Sequence, residues 1–203
     1  MASHPEPVPV DGRTARRAGT REAILLAATE LFAARGVTST SVDDIAERAG
    51  IAKGSIYYNF SSKAGLVEAV IDAHSRILRA ELEDATRGLT GAERRAAVVT
   101  ALLRTVQSHA DAARVMVTEM FRTERSWLDA MVRWRDIVQQ QLRDDYLAEH
   151  PQGGAAAAAV QSAAVVGAAL TAGLEWLAFN PDQSLESVRD AVLTALALPV
   201  PPG

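Results

Sequence analysis

Cysteine is absent from the 203 residues, which excludes disulfide frameworks, thiolate zinc sites and cysteine nucleophiles. Histidine is scarce: His4, His74, His109 and His150 are the whole supply. None stands four residues from another, so a dedicated metal site is not expected, and no cofactor is either. No nucleophile–base constellation and no paired carboxylates mark a cleft, so an enzyme is not expected. Lysine is nearly missing, with Lys53 and Lys63 set against 19 arginines. Residues 1–10 hold Pro5, Pro7 and Pro9 but no apolar run. No secretory signal is therefore expected, and the expected location is the cytoplasm.

What is present is the balance of an ordinary soluble globular chain, 48% hydrophobic and 23% charged, long enough to bury a core. The one membrane candidate is Ala155–Leu174, which carries no charge. Alanine and glycine dominate it, Gln161, Ser162 and Thr171 interrupt it, and no basic or aromatic belt flanks it. A spanning helix relies on Leu, Ile, Val and Phe for insertion, so a buried interface helix is the expected reading and no membrane partner follows. The net charge of −4 hides a split. Residues 1–10 carry −1, residues 11–80 carry +2 and residues 81–203 carry −5. The mildly basic front points to an anionic partner for that portion alone.

The spacing of apolar residues is helical throughout, and the expected fold is all-α with about nine helices. Met1–Gly12 reads as a disordered tail. Thr20 is placed to cap a helix running to Arg35, with Gly36 as its stop and Ile24, Ala27, Ala28, Leu31 and Phe32 as its buried stripe. Ser41, with Asp44 three residues on, opens a short helix that Gly50 closes. A second short helix covers Lys53–Asn59. Ser61 or Ser62 then caps a longer one bearing Leu66, Val67, Val70, Ile71, His74, Ile77 and Leu78 on its apolar face. Further helical patterns lie at about 92–109, 111–122, 125–149, 155–179 and 184–197, and Pro199, Pro201 and Pro202 end the chain as a tail. The expected organisation is a tail at 1–12, a head at 13–65, a body at 66–198 and a tail at 199–203.

Two short helices joined at a glycine suggest a helix-turn-helix. Ala46 must be small where the second helix crosses, and Gly50 supplies the positive φ of the tight turn. Ile56 points back to Val42, Ile45, Ala49 and Ile51. Two amphipathic helices meeting at any glycine share that geometry, so the outer face has to decide. Lys53, Gly54 and Tyr57 fall on one side of the second helix, away from Ile56 and Phe60. Tyrosine hydroxyls and ring edges suit phosphate oxygens and thymine methyls. Both lysines of the chain lie near helix starts, where the macrodipole disfavours them unless an anion is near.

The run Thr40-Ser41-Val42-Asp43-Asp44-Ile45-Ala46, then Ala49-Gly50-Ile51-Ala52-Lys53-Gly54-Ser55-Ile56-Tyr57-Tyr58-Asn59-Phe60, then Ser62-Lys63 and Leu66, resembles the DNA-binding domain of the tetracycline-repressor (TetR) family of bacterial regulators. The likeness covers Thr20–His74. It implies a three-helix DNA-binding head joined by a fourth helix to a ligand-binding, dimerising body. Carried onto this chain, it implies a helix-capping phosphate contact at Ser41 and base-facing positions at Lys53, Gly54 and Tyr57. Phosphate contacts are implied at Ser55, Tyr58, Asn59 and Lys63. Val42 stands where some relatives carry a base-reading polar residue, and Asn59 where histidine is often found. Arg13, Arg16, Arg17 and Arg21 precede the expected first helix and are candidates for phosphate or minor-groove contact.

In the body, Val160, Ala164, Gly167, Thr171 and Leu174 share one helical face, and Leu185, Val188, Val192 and Leu196 repeat in the last helix. The resemblance implies that these two helices form half of a four-helix homodimer interface; burial within one subunit is the alternative. Met116 and Met120, then Trp127, Met131 and Trp134, with Phe121 between the sets, form an adaptable apolar wall that suits a hydrophobic or aromatic effector. Glu175 beside Trp176 is a further candidate for that pocket. The expected function is a homodimeric regulator, a repressor of an inverted-repeat operator in double-stranded DNA, released by a small-molecule effector. The competing readings are a helical adaptor without sequence-specific DNA binding and an effector-independent activator.

Overall fold

A computed structural model describes residues 12–122 and 125–197. The expected tails at 1–12 and 199–203 lie outside the described residues, apart from Gly12. Nine helices and no strand occur among the described residues: α1 (Gly12–Arg35), α2 (Val42–Ala49), α3 (Lys53–Asn59), α4 (Lys63–Ala85), α5 (Gly91–Ser108), α6 (Ala110–Glu119), α7 (Leu128–Glu149), α8 (Ala155–Phe179) and α9 (Leu185–Leu196).

The head turns on local chemistry. Thr40 is buried and donates its hydroxyl to the Gly36 carbonyl at 2.9 Å, tying the end of α1 to the start of α2. Ser41 then caps α2 reciprocally. The Asp44 N–H donates to Ser41 Oγ at 3.0 Å and the Ser41 N–H to Asp44 Oδ2 at 2.7 Å, so two otherwise orphaned donors are satisfied. Gly50 ends α2 at φ 66°, and the Ile51 N–H returns to the Ala46 carbonyl at 3.0 Å. Ile24, Ile45, Ile56 and Leu66, one from each of α1 to α4, are fully buried. Burying each contributes roughly 1.5–3 kcal/mol.

The first helix departs from expectation. It begins at Gly12, so Thr20 lies inside it rather than at its cap. Alanine, arginine and threonine through Arg21 continue a helix without a break, and a residue with capping chemistry does not stop a chain already wound.

In the body, α4 packs against α5 and α7, and α8 against α5 and α7, while α9 lies across α5 and α8. Head and body share one continuous core, because α1 also packs against α4 and α6. Arg94 clips α5 to α7: its Nη1 is 3.1 Å from Asp145 Oδ1, with Asp145 buried. By length and composition α8 passes for a membrane-crossing helix, but only 33% of its most apolar stretch is buried within the subunit. Gly173 is a point where α8 meets α5 closely. A Cβ there would stand 3.1 Å from Val106 Cγ1 and 3.2 Å from Leu103 Cδ2.

Two glycines should therefore fail for different reasons. Gly50→Ala meets open space and costs about 1–2 kcal/mol from left-handed backbone strain alone. Gly173→Ala costs about 1–3 kcal/mol from overpacking, and an added Val106→Ala should recover part of it. Urea denaturation of the three proteins measures both effects.

Candidate nucleic-acid interface and body cavity

The outer face of α3 is open. Lys53 and Gly54 are exposed, Tyr57 and Tyr58 are 49% and 73% exposed, and Ser55 and Asn59 are half-buried. Ile56 and Phe60 face inward and anchor the helix. Ser41 is exposed at the start of α2 and Lys63 half-buried at the start of α4. Val42 is buried and offers nothing to that face.

Their partners are only partly those expected. Lys53 was expected to need an external anion. It has an internal one, with its Nζ 2.8 Å from Asp43 Oδ1 and 2.9 Å from Oδ2. That hydrogen bond, with the Asp43 charge behind it, raises the lysine above its ordinary pKa. The two residues are ten apart on different helices, which periodicity does not reveal. The Ser41 hydroxyl is committed as well, donating to Asp44 Oδ2 at 2.6 Å. Hydrogen bonds from Ser41 hold the Asp44 carboxyl below its ordinary pKa. The Asn59 amide donates to the Ser55 carbonyl at 2.8 Å, and Lys63 Nζ donates to the Thr38 carbonyl at 3.3 Å.

The arginines do not form an arm ahead of α1. They lie on its first turns, which places Arg17 5.1 Å from the Tyr58 ring centre and Arg21 5.0 Å from that of Phe60. Each guanidinium rests on an aromatic face of the α3 region, an attraction worth about 0.5–1 kcal/mol at an exposed site. The side chains of Arg13 and Arg16 lie outside the described residues.

The body divides the expected pocket. Met116 and Trp134 do line one cavity, of about 30 Å³, with His74, Leu78, Leu102, Val106, His109, Ala113 and Leu170. Phe121 does not, being 83% exposed just past the end of α6, where no helix covers it. Met120 and Met131 pack in or against the core away from that cavity. Trp127 is buried, and its indole N–H donates to Glu119 Oε2 at 3.1 Å, which satisfies a carboxylate that is 2% exposed. Glu175 and Trp176 belong to a separate cleft of about 300 Å³ between α8 and α9. The Trp176 indole N–H donates to the Gln183 carbonyl at 3.0 Å, so it braces the α8–α9 turn.

The expected dimer face also splits. Val160 is 70% exposed, Ala164 and Thr171 are exposed, and Gly167 and Leu174 are half-buried. Val188 and Val192 are buried inside the subunit, because that side of α9 seals α5 and α8. Helical periodicity marks a buried stripe without saying which surface buries it. Leu185 is half-buried and Leu196 38% exposed. What α9 leaves outside is the side bearing Ala191 and Ala195.

Residues 24–70 match the family described as "Bacterial regulatory proteins, tetR family". The match is confined to the head, whose α2, α3 and the start of α4 it spans. Relatives include the HTH-type transcriptional regulator TtgR of Pseudomonas putida, 46% identical over 70 residues that make up 32% of this chain and 33% of that protein. The HTH-type transcriptional repressor KstR2 of Rhodococcus jostii is 43% identical over 65 residues, 32% of this chain and 31% of that one. The chain therefore matches about a third of the length of these curated relatives. The fold extends much further. The crystal structure of the transcriptional regulator FadR from Bacillus subtilis, in complex with stearoyl-CoA, aligns with a TM-score of 0.69 over 86% of this chain and 96% of that one, at 20% identity.

Sequence reading passed over one constellation. His74 and His109, treated as scattered, have ring centres 5.9 Å apart. The available signal was the position of His74 on the apolar face of α4. Burial, with a smaller effect from His109, lowers the His74 pKa from 6.5 to about 4. Its folded value lies below its unfolded one, so between them the unfolded chain binds the extra proton. Stability due to this group should be complete above pH 6.5, fall as the pH drops from about 6.5 to about 4, and level off below. Its loss should be about 3 kcal/mol at most. Urea titrations across that range, with His74→Phe flattening the profile, measure it.

Proposed function

We propose that the chain is a homodimeric TetR-type transcriptional regulator that binds an inverted-repeat operator through α2 and α3 and is released by a small apolar effector. The observation that carries this reading is the open α3 face of Lys53, Gly54, Tyr57 and Tyr58 on a head matched to the family. Lys53, Gly54 and Tyr57 read base edges, while Ser41, Ser55, Tyr58, Asn59 and Lys63 hold phosphates, with Arg17 and Arg21 adding positive charge beside them. Lys53 exchanges Asp43 for DNA on binding, so Asp43 sets part of the cost of docking. The repressive sign rests on the naming of relatives such as KstR2. A regulator of this kind works in the cytoplasm, where its operator is.

Dimerisation supplies the two-fold axis that an inverted repeat needs, with half-sites about 34 Å apart or at a related spacing. The exposed face of α8 is apolar, and its small residues allow a partner helix near the short end of the 8–10 Å range. Effector action follows from packing. The cavity is walled by α4 and α6, both of which rest on α1 of the head. The turn before α7 also touches the head, since Arg125 Nη2 donates to Thr38 Oγ1 at 3.4 Å. A ligand that prefers parted walls lowers operator affinity by its differential binding energy. FadR holds stearoyl-CoA, which supports an apolar effector here without fixing its identity.

Fluorescence anisotropy on operator DNA selected from genomic fragments, across a salt series, tests the reading. Lys53→Ala or Tyr57→Ala should weaken specific binding roughly tenfold or more and alter base preference, with thermal stability unchanged. Lys63→Ala should lower affinity for all sequences alike and reduce the salt slope by about one. Asp43→Asn, by freeing Lys53, should tighten binding at low salt. Weak, sequence-blind binding untouched by these changes would return the adaptor reading.

The dimer has its own test. A Cβ at Gly167 meets nothing within 4 Å, so Gly167→Leu should leave the subunit folded while wedging the partner helix away. Light scattering should give twice the chain mass for the native protein and a monomer for this variant. A native monomer at tens of micromolar would sink the interface.

A further inference from the structure

Two imidazoles stand where an apolar cavity meets a polar one. His74 comes from α4 and His109 from the break between α5 and α6, with their planes at 59°. His74 Nε2 lies 3.3 Å from Thr29 Oγ1. Thr29 has one hydroxyl hydrogen, and it goes to the Leu25 carbonyl at 2.8 Å. The threonine oxygen must then accept, which assigns the hydrogen of His74 to Nε2. Nδ1 is left as a lone-pair acceptor, and among the described residues nothing donates to it. The ring nitrogens of His109 likewise make no hydrogen bond there. Inside the pair lies the chamber walled by Leu78, Leu102, Met116 and Trp134. Outside it, His109, Ile77 and Thr105 also line a cleft of about 450 Å³ that holds Arg104 and Glu81. His109 thus borders both, and His74 the inner one.

We propose that His74 and His109 are the polar end of the effector site and select a hydrophobic ring compound carrying a hydroxyl group, whose O–H donates to His74 Nδ1 while its ring packs against Met116 and Trp134. This rests on the reading of the chain as an effector-responsive regulator. The choice of hydroxyl follows from what the other head groups lack. A carboxylate brings no hydrogen for Nδ1 and would need a charged imidazole, which burial disfavours. An ammonium would find no carboxylate among the residues lining the chamber. Nδ1 of the half-buried His74 loses its access to water when a ring covers it, and a ring without a donor would leave it unpaired, at a desolvation cost that a hydroxyl avoids. Tryptophan and methionine walls suit a ring, through its face and through sulfur–aromatic contact. A chamber of about 30 Å³ holds about one water, so the ring enters by parting α4 from α6.

The probes are 4-propylphenol and propylbenzene, which differ only in the hydroxyl. Binding is measured by calorimetry on the full-length dimer without DNA, alongside histidine side-chain ¹⁵N spectra. The native protein should prefer the phenol by about tenfold, and the His74 Nδ1 resonance should move when it binds. His74→Phe should erase the preference while still binding propylbenzene, which also establishes that the variant is folded with its chamber intact. His109→Phe, one wall further out, should reduce the preference without abolishing it. Equal binding of the two probes by the native protein would overturn the inference, as would a preference that survives in His74→Phe or phenol binding that leaves His74 unshifted. Binding of neither probe would overturn it together with the effector reading of this chamber, while specific operator binding, measured separately, would still stand.

Discussion

Helix α4 is the constraint on which the rest depends. Its 23 residues run unbroken from the head into the body, and Leu66, Val67, Val70, Ile71, Leu78 and Leu82 are all buried along it. The first of these complete the head core that α1 to α3 begin, and the last lie between α5 and α7. A single rigid rod with both ends fixed in dense packing has no hinge at which one half could yield alone. Any displacement at its body end is therefore delivered to the head. His74 sits midway on this rod, joined on one side to Thr29 of α1 and facing the cavity on the other.

The head is balanced between folding and docking. Its interior is apolar and well filled, whereas its outer face spends its charges internally. Lys53 holds Asp43, Arg48 holds Glu30 at 2.6 Å, and Arg35 stands 3.9 Å from Asp44. Exposed pairs of this kind contribute little to stability, because solvent screens them. Their effect is on the field. They reduce the attraction for arbitrary polyanions and leave selectivity to groups that engage only when geometry permits. That accounts for a DNA-binding reading in a chain of net charge −4.

Where local chemistry decides, the sequence was readable. Ser41, Asp44 and Gly50 bound α2, Lys53–Asn59 is a helix as its apolar anchors Ile56 and Phe60 require, and α8 spans 155–179 as its alanine-rich composition indicated. Where a decision needs a second element, it was not. Thr20 has the chemistry of a cap but no chain break before it. Val188 and Val192 form a proper stripe that turns out to serve the subunit's own core. Phe121, Trp127 and Trp176 are three aromatic side chains with different fates, one exposed and two spending their N–H groups on Glu119 and Gln183. The Asp43–Lys53 and His74–His109 pairs join residues 10 and 35 positions apart, and only the fold makes them neighbours.

The body's unfilled needs lie on opposite sides. The face of α8 with Val160, Ala164 and Thr171 is apolar and uncovered, while the chamber behind α8 is apolar and only about 30 Å³. Covering the first fixes α8 against a partner, so the chamber cannot expand in that direction. It can expand toward α4 and α6, the helices that carry α1. On the proposed reading, a dimer interface on α8 would do more than bring two heads to one operator. It would hold one wall still, so that the work of admitting a ligand would fall on the walls that carry the head. A ligand's intrinsic affinity would then be reduced by the cost of that opening. If the two sites are coupled in this way, linkage makes the effect reciprocal: DNA would weaken the ligand by the same factor as the ligand weakens DNA.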